Sequence, residues 1–399
     1  MIPVYFSKPA VFCAAGNGID ELWKNVTCGN QSGIRRVKAL NSKEFFAARI
    51  QDDLLKETSA RYKMRIMQIE EQTLLQLEEE IFAAKNKYGE KKVAVCVGSC
   101  DNGTEFSVAG HRKYFENGKF DKDYSLEIQS ADYVVTFISE KYGLKGPSLT
   151  FETACSSSAG AIIKAAELIR SGIADAVVAG GIDIASDTVL MGFDSLEAVD
   201  SGITNPYSKN RRGITLGEAG AFFVLTKDLP EKAPAVQLLG YGESSDAYHM
   251  TSPDPSGDGA RRAMENALKS AGIEPKDIDY LNLHGTGTKY NDSMEAKAVD
   301  SVFGSYKVAA STTKAVTGHT LGAAGALEAA ICYAAIVNSK ADSAVIPVQV
   351  WDKEQDSEMP ELNIIDKTNN KVNRRVKICL SNSFAFGGAN SSLVIGIGE

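Results

Sequence analysis

The sequence predicts an α/β fold built as two related halves, and three observations carry that prediction. Short apolar runs of strand-forming residues alternate with stretches whose apolar residues fall at helical spacing. Two helix-like stretches, 156–170 and 321–337, share an unusual density of small residues. A break bearing Pro and Lys, Lys227-Asp228-Leu229-Pro230-Glu231-Lys232-Ala233-Pro234, divides the chain past its middle. The halves are placed at 1–231 and 232–399; the 399 residues are in any case more than one ordinary core would hold.

In chain order, 70–80 reads as an acidic helix with a solvated face. Residues 92–97 read as a strand, and Gly98-Ser99-Cys100-Asp101-Asn102-Gly103 as the loop after it. A strand at 149–154 runs directly into Cys155. The helix 156–170 follows, with Ile162, Ile163, Ala166 and Ile169 on one face and a stop at Gly172. A buried strand at 175–181 ends in Gly180-Gly181, and strands at 221–226 and 235–241 flank the central break. In the second half a strand at 278–283 ends at His284. Another at 308–311 leads to Lys314 and His319, and the second small-residue helix begins at Leu321. The likeness of the two helices points to an internal duplication, although small residues also collect wherever backbones pack closely.

Hydrophobic content of 44% and charged content of 24% are those of a soluble globular protein. A net charge of −8 speaks against nucleic-acid binding, and an anionic partner would need a local basic patch. The seven cysteines are odd in number and match no zinc or disulfide spacing. Six of them, such as Cys96 and Cys332 in apolar runs, read as buried structural thiols, which suits a reducing cytoplasm. No signal peptide is expected from the N-terminal residues. The apolar stretch 321–337 is interrupted by Glu328 and is too short for a membrane span. The scattered histidines indicate no metal site, no phosphate loop is present, and Gly181-Ile182-Asp183 is not a dinucleotide fingerprint, so no cofactor is expected.

Cys155 is the exceptional cysteine. At a strand-to-helix junction its thiol lies over free helix amides, which stabilise a thiolate and can receive an oxyanion. Ser156 to Ser158 can cap the same helix start. His284, followed by Gly285-Thr286-Gly287-Thr288, either projects into a ligand-binding turn or closes the strand as a satisfied side chain. His319 enters the second small-residue helix, where the positive helix end depresses an imidazole pKa and leaves a neutral ring able to donate to an enolate. Lys314 taken alone is an ordinary lysine. Glu328, a carboxylate among alanines, is its natural partner or that of a histidine. Ser381-Asn382-Ser383-Phe384-Ala385-Phe386-Gly387-Gly388 reads either as a mobile loop facing a pocket or as a bulged core strand.

Taken together in this order, these motifs resemble the elongating β-ketoacyl-acyl-carrier-protein synthases of the thiolase superfamily, over nearly the whole chain. Ala179-Gly180-Gly181, Gly217-Glu218-Ala219-Gly220 and Gly322-Ala323-Ala324-Gly325 carry the likeness alongside the sites above. The resemblance implies a thiolase-like fold of two βαβαβαββ halves in five αβαβα layers. It implies Cys155 as acyl-carrying nucleophile, with His284 and His319 binding a malonyl thioester and its enolate. Lys314 and Glu328 would organise charge behind the histidines. Amides of Cys155 and Phe386 would form an oxyanion hole, with Phe386 and Phe384 in the gating segment. Thr286 and Thr288 would bind a pantetheine arm. Substrates would arrive on the phosphopantetheine of an acyl carrier protein, with no other cofactor. The chain would form a homodimer, or a heterodimer with a chain-length-factor-like subunit.

Related enzymes are separated by residue. Thiolases use a late cysteine that is missing from the Phe384 to Gly388 segment, initiating enzymes carry asparagine where His319 stands, and non-catalytic chain-length partners lack the cysteine found at 155. A non-catalytic scaffold or chain-length subunit is the rival reading. Departures at Tyr207 to Gly213, Gly242 to Met250 and Lys289-Tyr290-Asn291-Asp292 look like the specialised synthases of aryl-polyene clusters. Because carrier proteins are acidic, two basic clusters are candidate docking sites: Arg61, Lys63 and Arg65, and Lys209, Arg211 and Arg212.

Overall fold

A computed structural model describes residues 2–230 and 234–398. The boundary expected between 231 and 232 lies outside the described residues. The strands that build the framework are β1 (Tyr5–Phe6), β2 (Ala10–Cys13), β3 (Val93–Gly98), β4 (Ser148–Phe151), β5 (Ala176–Asp183), β6 (Ala219–Thr226), β7 (Val236–Ser245), β8 (Tyr280–Asn282), β9 (Ala310–Ser311), β10 (Ile378–Phe384) and β11 (Ala389–Ile397). In the first half the order is β4-β3-β5-β6, with β1 and β2 both laid on β6; in the second it is β9-β8-β10-β11-β7.

Each half therefore runs third, second, fourth, fifth, first. In each, the first three strands of that order are parallel and the last two antiparallel. Two halves with one order and one pattern of directions are the expected internal repeat, seen now in topology rather than composition. The sheets join at Tyr5, which pairs with Thr226 of β6 and Gln237 of β7.

The helices that position the site are α1 (Arg65–Leu75), α2 (Tyr133–Tyr142), α3 (Ser157–Arg170), α4 (Asp187–Ser195), α5 (Asp258–Ala271), α6 (Lys289–Phe303) and α7 (Ala324–Val337). Three apolar clusters show the layering. One lies between α1, α2 and the first sheet, one holds α3 and α7 between both sheets, and one lies between the second sheet and α5 with α6. The result is helix, sheet, helix pair, sheet, helix. The central pair explains the small residues, because each helix must meet sheet and helix at once. A Cβ on Gly325 would stand 2.8 Å from the Ala159 nitrogen. One residue further on, the Ala326 amide donates to Ser158 Oγ at 2.9 Å.

Some boundaries differ from expectation. The strand read at 149–154 stops at Phe151, because Ala154 adopts φ 49° in the turn that presents Cys155. The acidic stretch is two helices, not one, and its first part is not solvated. In α1, packed on β2 and β6, Glu70 is wholly buried with neither oxygen bonded among the described residues. Glu71 is buried too, held by Thr58, Ser59 and Lys141. Of the six cysteines read as buried, Cys28 and Cys100 are exposed. No helix among the described residues is long and apolar enough to cross a membrane.

Candidate active site

Cys155 sits in the turn of 3-10 helix Ala154–Ser156 that opens α3, and it is buried. At the matching point of the second half, His319 precedes the turn Leu321–Ala323 that opens α7; Leu321 repeats the left-handed backbone of Ala154, at φ 51° against 49°. The repeat thus brings the openings of two central helices face to face. His319 Nε2 lies 2.9 Å from Cys155 Sγ. His284, beyond the end of β8, has its ring centroid 5.3 Å from that of His319, nearly perpendicular to it. The sulfur and a ring nitrogen of each histidine lie within 4.8 Å of one another.

Sequence spacing gave no sign of a metal-ligand set, yet folding assembles these three donors. The 2.9 Å spacing from Nε2 to sulfur is that of a hydrogen bond. Ligands on one tetrahedral zinc stand further apart, since each bond is itself about 2.0–2.3 Å long.

Lys314 and Glu328 are buried behind the histidines and form an ion pair, as expected. The ammonium also donates to the His284 carbonyl at 2.5 Å. Burial pushes the Glu328 carboxyl up to about 7 even against the pull of Lys314. Burial also holds both imidazoles well below the usual histidine range, and the Lys314 charge adds to this. The direction expected for His319 is present, with burial as its first cause. The Cys155 thiol goes the other way from the sequence expectation. Burial raises it to about 11, opposed by Lys314 and by the Phe386 amide. In this structure a neutral thiol faces neutral imidazoles, and desolvation outweighs the helix start.

Phe386 and Phe384 line the cavity that holds Cys155. The Phe386 amide is directed at the Cys155 sulfur, and its ring packs 5.9 Å from Phe193 of α4. The Phe384 ring lies 6.1 Å from His284. Gly387 and Gly388 follow with φ 83° and 78°, a backbone that side chains disfavour. Thr286 and Thr288 hydroxyls are 3.0 Å apart and line a cavity of about 260 Å³ with Cys155, both histidines and Phe386.

Several groups at this site carried no sequence signal. Glu295 of α6 is fully buried and accepts the His284 and Gly285 amides, each at 2.8 Å, and the Tyr207 hydroxyl at 2.7 Å. It therefore fixes the turn on which His284 stands. Phe193 and Asp183 were likewise unmarked. An acidic residue in an amphipathic helix looks like any other until the fold shows which face is buried.

The two basic clusters do not survive intact. Arg65 is buried, bonded to Glu218 at 2.5 Å and Asp52 at 2.6 Å, and Arg211 is buried against Asp356 at 2.6 Å. Both are internal struts and neither can meet a partner. Arg61 is exposed and paired with Glu127, Lys63 is exposed, and Lys209 is exposed and paired with Glu354. Of the six, Arg212 alone lines the cavity; it is exposed and stands 3.5 Å from Asp200.

The family models described as Beta-ketoacyl synthase, N-terminal domain and Beta-ketoacyl synthase, C-terminal domain match residues 10–230 and 236–344. The chain is 32% identical over 402 residues to 3-oxoacyl-[acyl-carrier-protein] synthase 2 of Coxiella burnetii, covering 95% of each. The enzyme of the same name from Vibrio harveyi is 32% identical over 401 residues, covering 95% of this chain and 94% of that one. Among solved structures, the ketosynthase ApeO in complex with its chain length factor ApeC from Xenorhabdus doucetiae superposes with a TM-score of 0.90 at 33% identity, over 99% of this chain and 98% of that one. The ishigamide ketosynthase/chain length factor gives 0.88 at 26% identity, over 100% and 99%. The fold is thus thiolase-like, as expected, and with a paired thiol and two imidazoles at the crossing of its halves the chain belongs to the β-ketoacyl synthase family.

Proposed function

We propose that this chain is a 3-oxoacyl-[acyl-carrier-protein] synthase, an acyltransferase that extends a thioester-bound chain by decarboxylative condensation. The observation that carries the reading is Cys155 Sγ at 2.9 Å from His319 Nε2, with His284 completing the triangle. In the first half-reaction the Cys155 sulfur bonds to the acyl carbonyl of a carrier-bound thioester. The carrier's carbon–sulfur bond breaks, and its thiol leaves with the proton given up by Cys155. His319 Nε2–H, 2.9 Å from the sulfur, is placed to donate to the Cys155 thiolate as it forms.

A malonyl-carrier thioester then takes its place, its pantetheine arm along Thr286 and Thr288. Its carboxylate leaves as carbon dioxide, and the electron pair collects on the thioester oxygen as an enolate. Neutral Nε2–H groups of His284 and His319 bind that oxygen; burial, reinforced by the Lys314 charge, keeps both rings neutral. The enolate carbon attacks the acyl-Cys155 carbonyl, whose oxygen is received by the Cys155 and Phe386 amides. Collapse expels the Cys155 thiolate, which takes up one proton, and the carrier departs with a 3-oxoacyl chain.

The relatives' names and the ketosynthase–chain length factor structures support an acyl carrier protein and a second synthase-like subunit as partners. We read the partner as a second copy or a chain-length-factor-like chain, the subtype as the aryl-polyene one, and the unit boundary as 231/232. The scaffold reading has no support in a chain with an intact Cys155, His284, His319 and Lys314. Mass spectrometry after incubation with acyl-carrier protein is expected to find the acyl mass on Cys155. Malonyl-carrier protein is then expected to release carbon dioxide. Absence of both, with the chain alone and with a chain-length-factor-like partner, overturns the proposal.

A further inference from the structure

The thiol–imidazole pair spans the two halves, so neither half can set its 2.9 Å separation alone. Asp183, the last residue of β5, is 1% exposed, and its Oδ2 accepts two amides from different parts of the chain. One is Gly322 at 2.7 Å, three residues past His319 in the turn that opens α7. The other is Cys100 at 2.9 Å, in the loop that follows β3. That loop reaches the nucleophile in turn. Cys100 Sγ is 3.4 Å from the carbonyl of Ala154, the residue whose left-handed backbone presents Cys155, and 3.9 Å from Ser157 Oγ. Gly322 leaves no slack at the junction, since a Cβ there would stand 2.7 Å from Asp183 Oδ2 and 2.9 Å from Ser99 backbone.

We propose that Asp183 is a positioning residue for the condensation, a single carboxylate oxygen that holds the His319 turn and the Cys155 elbow in register. It touches neither reacting atom, and it acts through Gly322 on one side and through Cys100 on the other. Ala326 donates to Ser158 deeper along α7, and His319 is pinned at its own backbone, its amide donating to the Thr215 carbonyl at 2.7 Å and its carbonyl accepting the Gly217 amide at 2.9 Å. Asp183 adds the tie between the Leu321–Ala323 turn and the loop beside the Cys155 elbow, so its loss is expected to change how those two turns face each other rather than the fold. A reacting geometry displaced by 1 Å costs up to about 100-fold in rate. The inference rests on the condensing-enzyme reading above.

The test compares Asp183→Ala, Asp183→Asn and wild type for carbon dioxide release from malonyl-carrier protein. The alanine variant is expected to lose at least about tenfold in kcat, with KM for malonyl-carrier protein changed less than about twofold. The asparagine variant, whose side-chain oxygen can still accept both amides, is expected to recover to within about threefold of wild type. An unchanged kcat in Asp183→Ala, a loss carried by KM, or an asparagine variant as slow as alanine overturns the proposal. If the alanine variant does not fold, Gly322→Ala probes the same contact from the other side, and there an unchanged kcat is the contrary result. A wild type that neither acylates Cys155 nor releases carbon dioxide would instead strike the condensing-enzyme reading itself.

Discussion

At the scale of single residues, the chemistry depends on burial. Cys155, His284 and His319 are each under one-tenth exposed, and desolvation is the leading influence on all three. Both imidazoles ionise well below the ordinary histidine range. The rings of His284 and His319, followed by NMR, are thus expected to show no titration step near 6.5, the usual histidine midpoint, and to shift only at lower pH. A midpoint near 6.5 for either ring would contradict this; Glu328 and Asp183, both raised by burial to about 7, are the carboxyls expected to titrate there. Replacing His319 by Ala should lower carbon dioxide release by about 100-fold or more, and a loss below tenfold would remove His319 from the enolate site. Most of this set was legible in the sequence, because Cys155, His284, Lys314, His319 and Phe386 each lie in a distinctive run of small residues. Glu295 and Asp183 were not. Their roles come from backbone amides 10 to 139 residues away, which no local pattern encodes.

At the scale of elements, the two central helices explain the composition that first drew attention to them. Gly325 of α7 lies against the backbone of Ala159 in α3, so Gly325→Ala should destabilise the protein by about 1–3 kcal/mol through overpacking. Chemical denaturation that shows no loss would mean the helices can separate freely. The acidic stretch was misread for the opposite reason. Helix α1 is covered by sheet on one side and chain on the other, so Glu70 faces no water and has no partner among the described residues. Burial raises its pKa well above the ordinary value. The unfolded chain releases that proton first as pH rises, so from the ordinary glutamate range upward the native state binds more protons and stability falls. Glu70→Gln removes the titration and should raise Tm at pH 8 while leaving it near wild type at pH 4. An equal shift at both pH values would show that packing rather than charge is responsible. The short strands β8 and β9 were overextended in the sequence reading, because apolar residues continue past the hydrogen-bonded ladder into loops that the second core also buries.

At the scale of the whole molecule, duplication does the work of bringing chemistry together. Two halves with the same strand order place two helix openings in contact, one bearing a thiol and the other an imidazole. The sequence showed that repeat only faintly, in two helices of similar composition, because strand order is invisible without pairing. Partner recognition was the least legible feature. Basic residues close in sequence look like surface clusters, yet Arg65 and Arg211 point inward to carboxylates from distant segments. Arg212 at the cavity mouth is the better docking candidate. Arg212→Glu should raise the apparent KM for carrier-bound substrate several-fold and spare turnover of a small thioester; an equal loss with both would place Arg212 in the site instead of at its rim. That Cys155 carries the growing chain through a decarboxylative condensation is tested most directly by mass spectrometry of the protein after exposure to acyl-carrier protein, followed by addition of malonyl-carrier protein. One acyl mass is expected on Cys155, disappearing as carbon dioxide and a 3-oxoacyl-carrier protein form. An unmodified Cys155, or an acyl-Cys155 that persists when malonyl-carrier protein is added, would contradict it.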